Sequence, residues 1–111
     1  MDTVKNAIIE STFLGIEHGT LTATVHVAYD GHAQGFGGYN LQGWTGPESQ
    51  LSAANVFICG VLRAVGASSW EALKGKYVRI KHGEASEAGP IIAIGHITED
   101  VWFDAVAEMG N

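Results

Sequence analysis

Charge is what this chain has least of. Of its 111 residues only 16% are Asp, Glu, Lys or Arg, against roughly a quarter in an average soluble domain. A surface so poor in charge leaves apolar, Gly, Ser and Thr area facing water, and self-association is the expected way of hiding part of it. Basic residues are the scarcest: six Lys and Arg against twelve Asp and Glu give a formal net charge of −6. That balance argues against duplex DNA or RNA as a partner, because polyanion binding needs a broad cationic surface that releases counterions. Small anions stay open. Four of the six basic residues, Lys74, Lys76, Arg79 and Lys81, fall in one short stretch, which fits either a local positive spot or an ordinary solvated strand face.

One cysteine, Cys59, leaves no internal disulfide to form, and nothing points to an oxidising compartment. No apolar run approaches the ~18 residues of a membrane span, and Met1 to Lys5 lacks a basic segment leading into an apolar one. No membrane partner is expected, and the expected location is the cytoplasm. Internal repeats, linkers and low-complexity tracts are missing too, so the chain reads as one domain, of a size that buries about two-thirds of its unfolded surface.

Catalytic and metal signatures are equally scarce. The five histidines, His18, His26, His32, His82 and His96, contain no pair at the i,i+4 spacing of a helical zinc site and have no cysteine partners. No G-x-S-x-G elbow or H-E-x-x-H helix occurs. Cys59 falls in an apolar segment, where a thiol is expected to be buried and inert. His26 and His96 fall on predicted strands, where they face each other or a ligand, and His32 beside Asp30 forms a possible acid–base pair. No metal, cofactor or catalytic residue is assigned.

What is present reads as α+β: a mainly antiparallel sheet of about five strands with one apolar helix and a short helical turn. Residues 6–17 are apolar on both parities and rich in β-branched side chains, predicting a strand covered on both faces over part of its length. After the His18-Gly19 turn, Leu21, Ala23, Val25, Val27 and Tyr29 alternate with polar or small residues, predicting the second arm of a hairpin. A third strand, weakened by glycine, is expected from about Phe36 to Leu41, followed by a loop to Glu48 that holds Trp44. Leu51, Asn55, Ile58, Leu62 and Val65 recur at helical spacing, with Ala54, Phe57, Val61 and Ala64 beside them. A helix so poor in polar surface is covered on more than one side, and a second copy of itself is the expected cover. Gly66 is its expected C-cap. Ser68 to Leu73 predicts a capped helical turn ended by Gly75, residues 77–82 and 91–97 predict two more strands, and Trp102 and Phe103 are expected to pack over the sheet.

The most unusual segment is glycine-rich, with Gly35, Gly37 and Gly38. Such glycines admit a ligand close to the backbone, or kink a strand that crosses a neighbour. The segment has no P-loop Lys-Ser/Thr, and Asn40 stands where a dinucleotide fingerprint has its third glycine. Around it lie His32, Gln34, Phe36, Tyr39 and Trp44, whose stacking faces suit a purine or nicotinamide-like ring, although core packing is the commoner fate of aromatics. Arg79 and Lys81, sharing one strand face with Tyr77, are placed to meet a phosphate. These residues, with His96, form the candidate ligand site.

Four segments carry a further signal: Phe13-Leu14-Gly15-Ile16-Glu17-His18-Gly19, Gly35-Phe36-Gly37-Gly38-Tyr39, Trp70-Glu71-Ala72-Leu73-Lys74-Gly75-Lys76, and Ile94 through Phe103. In these the chain resembles a family of small uncharacterised proteins encoded by bacteriophages and prophages. The resemblance implies a phage accessory protein, and such proteins often counter host defence. One class sequesters nucleotide immune signals, cyclic dinucleotides or cyclic ADP-ribose derivatives, inside compact oligomers. A charge-poor helix, a glycine strand bordered by aromatics and a basic strand suit that class, so the expected function is signal sequestration without catalysis by a homo-oligomer. The alternatives are an acidic inhibitor of a host defence protein, CRISPR effectors included, and an enzyme degrading the same signal.

Overall fold

The computed structural model describes residues 3–38, 41, 47–83 and 90–109. Its centre is a six-stranded antiparallel sheet in the order β3-β2-β1-β4-β5-β6. The strands are β1 (Thr3–Glu17), β2 (Thr20–Tyr29), β3 (His32–Gly37), β4 (Tyr77–His82), β5 (Ile91–His96) and β6 (Trp102–Asp104). Helices α1 (Pro47–Val65) and α2 (Ala105–Met109) and a 3-10 turn (Glu71–Leu73) complete it. No described helix is long and apolar enough to cross a membrane.

Two tight turns build the first meander. His18 and Gly19 have φ of 54° and 78°, and Asp30 and Gly31 have 50° and 78°. Paired positive φ values match the right-handed twist of the flanking strands and need only two residues. The chain therefore re-enters the sheet at once, so β3 starts at His32 and ends at Gly37, earlier than the expected 36–41. Gly37 (φ 109°) and Gly38 (φ 77°) then bend the chain, and Gly38 N–H still reaches Ala23 O at 2.6 Å.

A β-bulge at Glu10 explains the mixed parity of β1. Ile9 pairs with Val27, but Ser11 already pairs with His26, so the inward series runs Ala7, Ile9, then Thr12, Leu14, Ile16. The expectation that β1 is covered on both faces fails in this half: Phe13, Leu14 and Ile16 are 40%, 42% and 65% exposed.

The sheet is strongly rolled. Flat, six strands would hold β3 and β6 about 24 Å apart, yet Phe36 of β3 and Phe103 of β6 meet edge-on at 6.2 Å. Helix α1 lies in the trough and inserts Phe57 between them, at 5.8 Å from Phe36 and 5.7 Å from Phe103. Val61, Ala64 and Val65 are buried with it. Gly60 has no room for a Cβ against the Phe103 ring. Besides the sheet, α1 is covered by α2, which packs beside it. The outward stripe of α1 is Asn55, Cys59 and Arg63, all exposed. Cys59 is thus exposed rather than buried, with its thiol donating to Asn55 Oδ1 at 3.1 Å. Gly66 (φ 83°) ends the helix as expected, its N–H and that of Ala67 both bonding Leu62 O.

β6 and α2 were not expected. Val101 to Asp104 is too short to show alternation, and Phe103 alone faces the trough. Asp104 ends β6 and caps α2, its Oδ1 accepting from Ala107 N–H at 3.0 Å.

Candidate functional site

Alternation on β4 sends Val78, Ile80 and His82 into the trough and Tyr77, Arg79 and Lys81 to the opposite, convex face. Register places Asn6, Arg79, Gly95 and Trp102 in one cross-strand row, and Val4, Lys81, Ala93 and Asp104 in the next. Small residues on β5 open a socket between the outer strands. The Trp102 indole fills it: a Cβ on Gly95 would lie 2.6 Å from indole Cδ2 and Cε3. The ring reaches β4, where Arg79 stands 4.9 Å and Lys81 Nζ 4.5 Å from its centroid. Cations over an indole face gain about 0.5–1 kcal/mol each at exposed sites.

The two cations are held differently. Arg79 donates from Nε to His96 O at 2.7 Å and from Nη2 to Glu99 O at 2.8 Å, so it ties down the turn between β5 and β6. No carboxylate among the described residues pairs with Lys81. Tyr77 and Val4, 65% and 48% exposed, flank the group. The result is a flat aromatic under two cations, edged by apolar surface.

The sequence-predicted site does not gather in one place. His32, Gln34 and Phe36 lie on the trough face of β3, opposite Tyr29, Val27 and Val25. Phe36 is fully buried and has no face for a ligand. Gln34 Oε1 accepts from Tyr29 OH at 2.7 Å in a buried group that includes His82, whose Nε2 is 2.9 Å from the same hydroxyl. His32 is exposed, tilted against Tyr29 at 6.1 Å. Gly35 lies on the convex face beside His26, three strands from Arg79 and Lys81. Gly37 sits against Phe57 and Ala23 O. His96 faces Gly66, and its Nδ1 accepts from Thr98 and Glu99 N–H at 3.1 Å each. Tyr39 and Trp44 lie outside the described residues. Among the described residues of the predicted set, only Arg79, Lys81 and, through its carbonyl, His96 come together.

Acid–base and metal chemistry gain nothing from the geometry. Among the described residues no three His, Cys, Asp or Glu groups converge as a metal site. His26 and His96 lie on opposite faces, three strands apart, instead of facing each other. Asp30 is held by Lys5, at 2.7 Å from Nζ, rather than by His32. The hydrogen bond and charge of Lys5 lower the Asp30 pKa below 3.8, with His32 adding a smaller effect. A carboxylate lowered by folding stabilises above its unfolded pKa and stops doing so as pH falls through the folded value. Urea titrations should therefore find Asp30→Asn slightly less stable than wild type near about pH 6, and the gap should close by about pH 2. A gap that persists in acid would assign the loss to the turn and not to the ion pair.

Trp102, with its socket of Ala93 and Gly95, is the residue the sequence reading missed as a site member. The available signal was two small residues at alternate strand positions shortly before an aromatic, since strand glycine often marks close approach by another group. Comparisons with protein-family models, with curated proteins and with solved structures gave no match to this chain.

Proposed function

We propose that this chain is a phage accessory protein of the host cytoplasm that binds and sequesters, without catalysis, a small nucleotide-like signal of the cyclic dinucleotide or cyclic ADP-ribose kind. The supporting observation is Lys81, 4.5 Å over the Trp102 ring and without a carboxylate partner among the described residues. A nucleotide needs a stacking face and a cation within one ligand length. Moving Lys81 off the ring forfeits about 0.5–1 kcal/mol, while a charge-assisted bond to phosphate returns about 1.5–3 kcal/mol. The freed indole then stacks on the base. Arg79 stays on its carbonyls and keeps β6 in place.

Calorimetry against a panel of cyclic nucleotides tests this. Trp102→Ala should weaken binding by about 1–3 kcal/mol, and Lys81→Ala by roughly tenfold or more, both with unchanged far-ultraviolet dichroism. Heating the complex should return the ligand intact. Altered ligand would mean an enzyme, and uptake unaffected by both variants would place binding elsewhere. If nothing is taken up, the second reading applies, an inhibitor that docks on a host defence protein. It draws on the exposed Tyr77 and Val4 beside Trp102, since aromatic side chains are typical of interface centres.

A further inference from the structure

β1 is much longer than the strand that flanks it. β4 pairs with Thr3 to Ile8 only, and Ile9 exchanges one further pair of bonds with Lys76 O and Gly75 N–H. Past that point β1 is paired with β2 alone, and among the described residues no backbone bond reaches its other edge between residues 11 and 17. The outward groups can be identified. Ala23 O and Leu21 O are taken by Gly38 and Leu41 N–H, on the side away from β1. Antiparallel pairs alternate between bonded and non-bonded, so their β1 partners Leu14 and Ile16, and likewise Thr12, point N–H and C=O to the open edge.

Exposed edges are normally blunted by Lys, Pro or another charge. This one has none between Glu10 and Glu17, and its apolar side chains Phe13, Leu14 and Ile16 are 40–65% exposed. We propose that the edge is a self-association site, where residues 11–17 of two copies pair antiparallel about a two-fold axis through Leu14. The register selects a second copy. It puts Leu14 opposite Leu14, Thr12 opposite Ile16 and Ser11 opposite Glu17, so every outward N–H and C=O at Thr12, Leu14 and Ile16 is bonded in both copies. On the other face it sets Phe13 opposite Gly15. Gly15 brings no side chain to that pair, and the Phe13 ring of its own strand lies over it, a Cβ there falling 3.1 Å from Phe13 Cζ. Shifting the register by two residues one way leaves Ile16 facing charged Glu10, and the other way sets Thr12 against His18, which is in the turn. A stable interface buries roughly 800 Å² per partner; a seven-residue strand with three apolar side chains is at the low end, so the dimer is concentration-dependent.

Sedimentation across a wide concentration range should show the mass rising from 11.7 kDa toward twice that value. Ile16→Lys should weaken dimerisation at least about tenfold, equivalent to ~1.4 kcal/mol, because the change enters each dimer twice. Leu14→Pro deletes an outward N–H while sparing the β1–β2 ladder. Should it misfold, Ile16→Lys carries the test alone, since that side chain is mostly in water. In hydrogen exchange, amides of Thr12, Leu14 and Ile16 should gain protection with concentration, whereas Phe13 and Gly15 are protected throughout. A wild type monomeric at every concentration overturns the proposal and leaves the edge to an extended segment of another protein. A dimer in which those three amides exchange freely, or which folded Ile16→Lys leaves intact, overturns it as well.

Discussion

Gly37→Val should cost the domain about 2–6 kcal/mol of its stability. The residue sits at φ 109°, where a β-branched side chain incurs strain of about 1–3 kcal/mol. Its Cβ would lie 2.6 Å from Ala23 O and 2.7 Å from Phe57 Cζ. Neither neighbour can give way, because Ala23 O accepts Gly38 N–H and Phe57 is locked between two other rings. Overpacking of this kind adds about 1–3 kcal/mol, so the total approaches half of a typical stability of about 5–15 kcal/mol. Gly31→Ala is the control: φ is 78° but nothing lies within 4 Å, so it should lose only about 1 kcal/mol of backbone strain. Urea midpoints of the two variants decide it. Equal midpoints would remove the packing argument, and a Gly37→Val protein melting near wild type would reopen the other reading of the glycines, in which they admit a ligand to the backbone.

Phe57→Ala should cost about 3–5 kcal/mol, the range for emptying an aromatic site in a core that cannot collapse. Phe57 is the only helical member of the ring group, and it holds the two ends of the sheet through Phe36 and Phe103. Its loss therefore acts on the roll of the sheet as well as on the helix. In a double-mutant cycle, Phe57→Ala and Phe103→Ala should couple by about 0.5 kcal/mol or more, as rings in contact do. Additive losses, or a single loss below about 1 kcal/mol, would mean that the cavity refills from neighbouring side chains.

Much of this architecture can be read from local rules. Strict alternation places β2, Val78 and Ile80 place β4, and Gly66 marks the end of α1. Features set by long-range geometry cannot be read that way. The bulge at Glu10 makes β1 look two-sided, since a one-residue parity change and burial on both faces leave the same pattern in sequence. The roll that brings Phe36 to Phe103 depends on elements far apart in the chain, so Phe36 resembles a ligand platform when only its neighbours are considered. The candidate site divides likewise. Tyr77, Arg79 and Lys81 are correctly placed on one face by strand period, but Trp102 joins them only because β6 pairs with β5. The exposure of Cys59 is hard to read from a helix so poor in polar surface, because Asn55, Cys59 and Arg63 form an outward stripe only one residue wide, at i, i+4 and i+8.

The strand order also bears on how the chain reaches this shape. β1, β2 and β3 are sequence neighbours joined by two-residue turns, and β4, β5 and β6 form a second run of neighbours. One ladder, between residues 3–8 and 77–82, stitches the two runs together. All the other strand pairings close short loops, whereas this seam must bring together residues some seventy positions apart in sequence, and closing so long a loop is entropically the dearest step. Contacts of that separation are the ones that slow two-state folding. The pace of folding is therefore set by the search for a single seam between two quickly formed meanders, with α1, which lies between them in the chain, available to cover the join once it has formed.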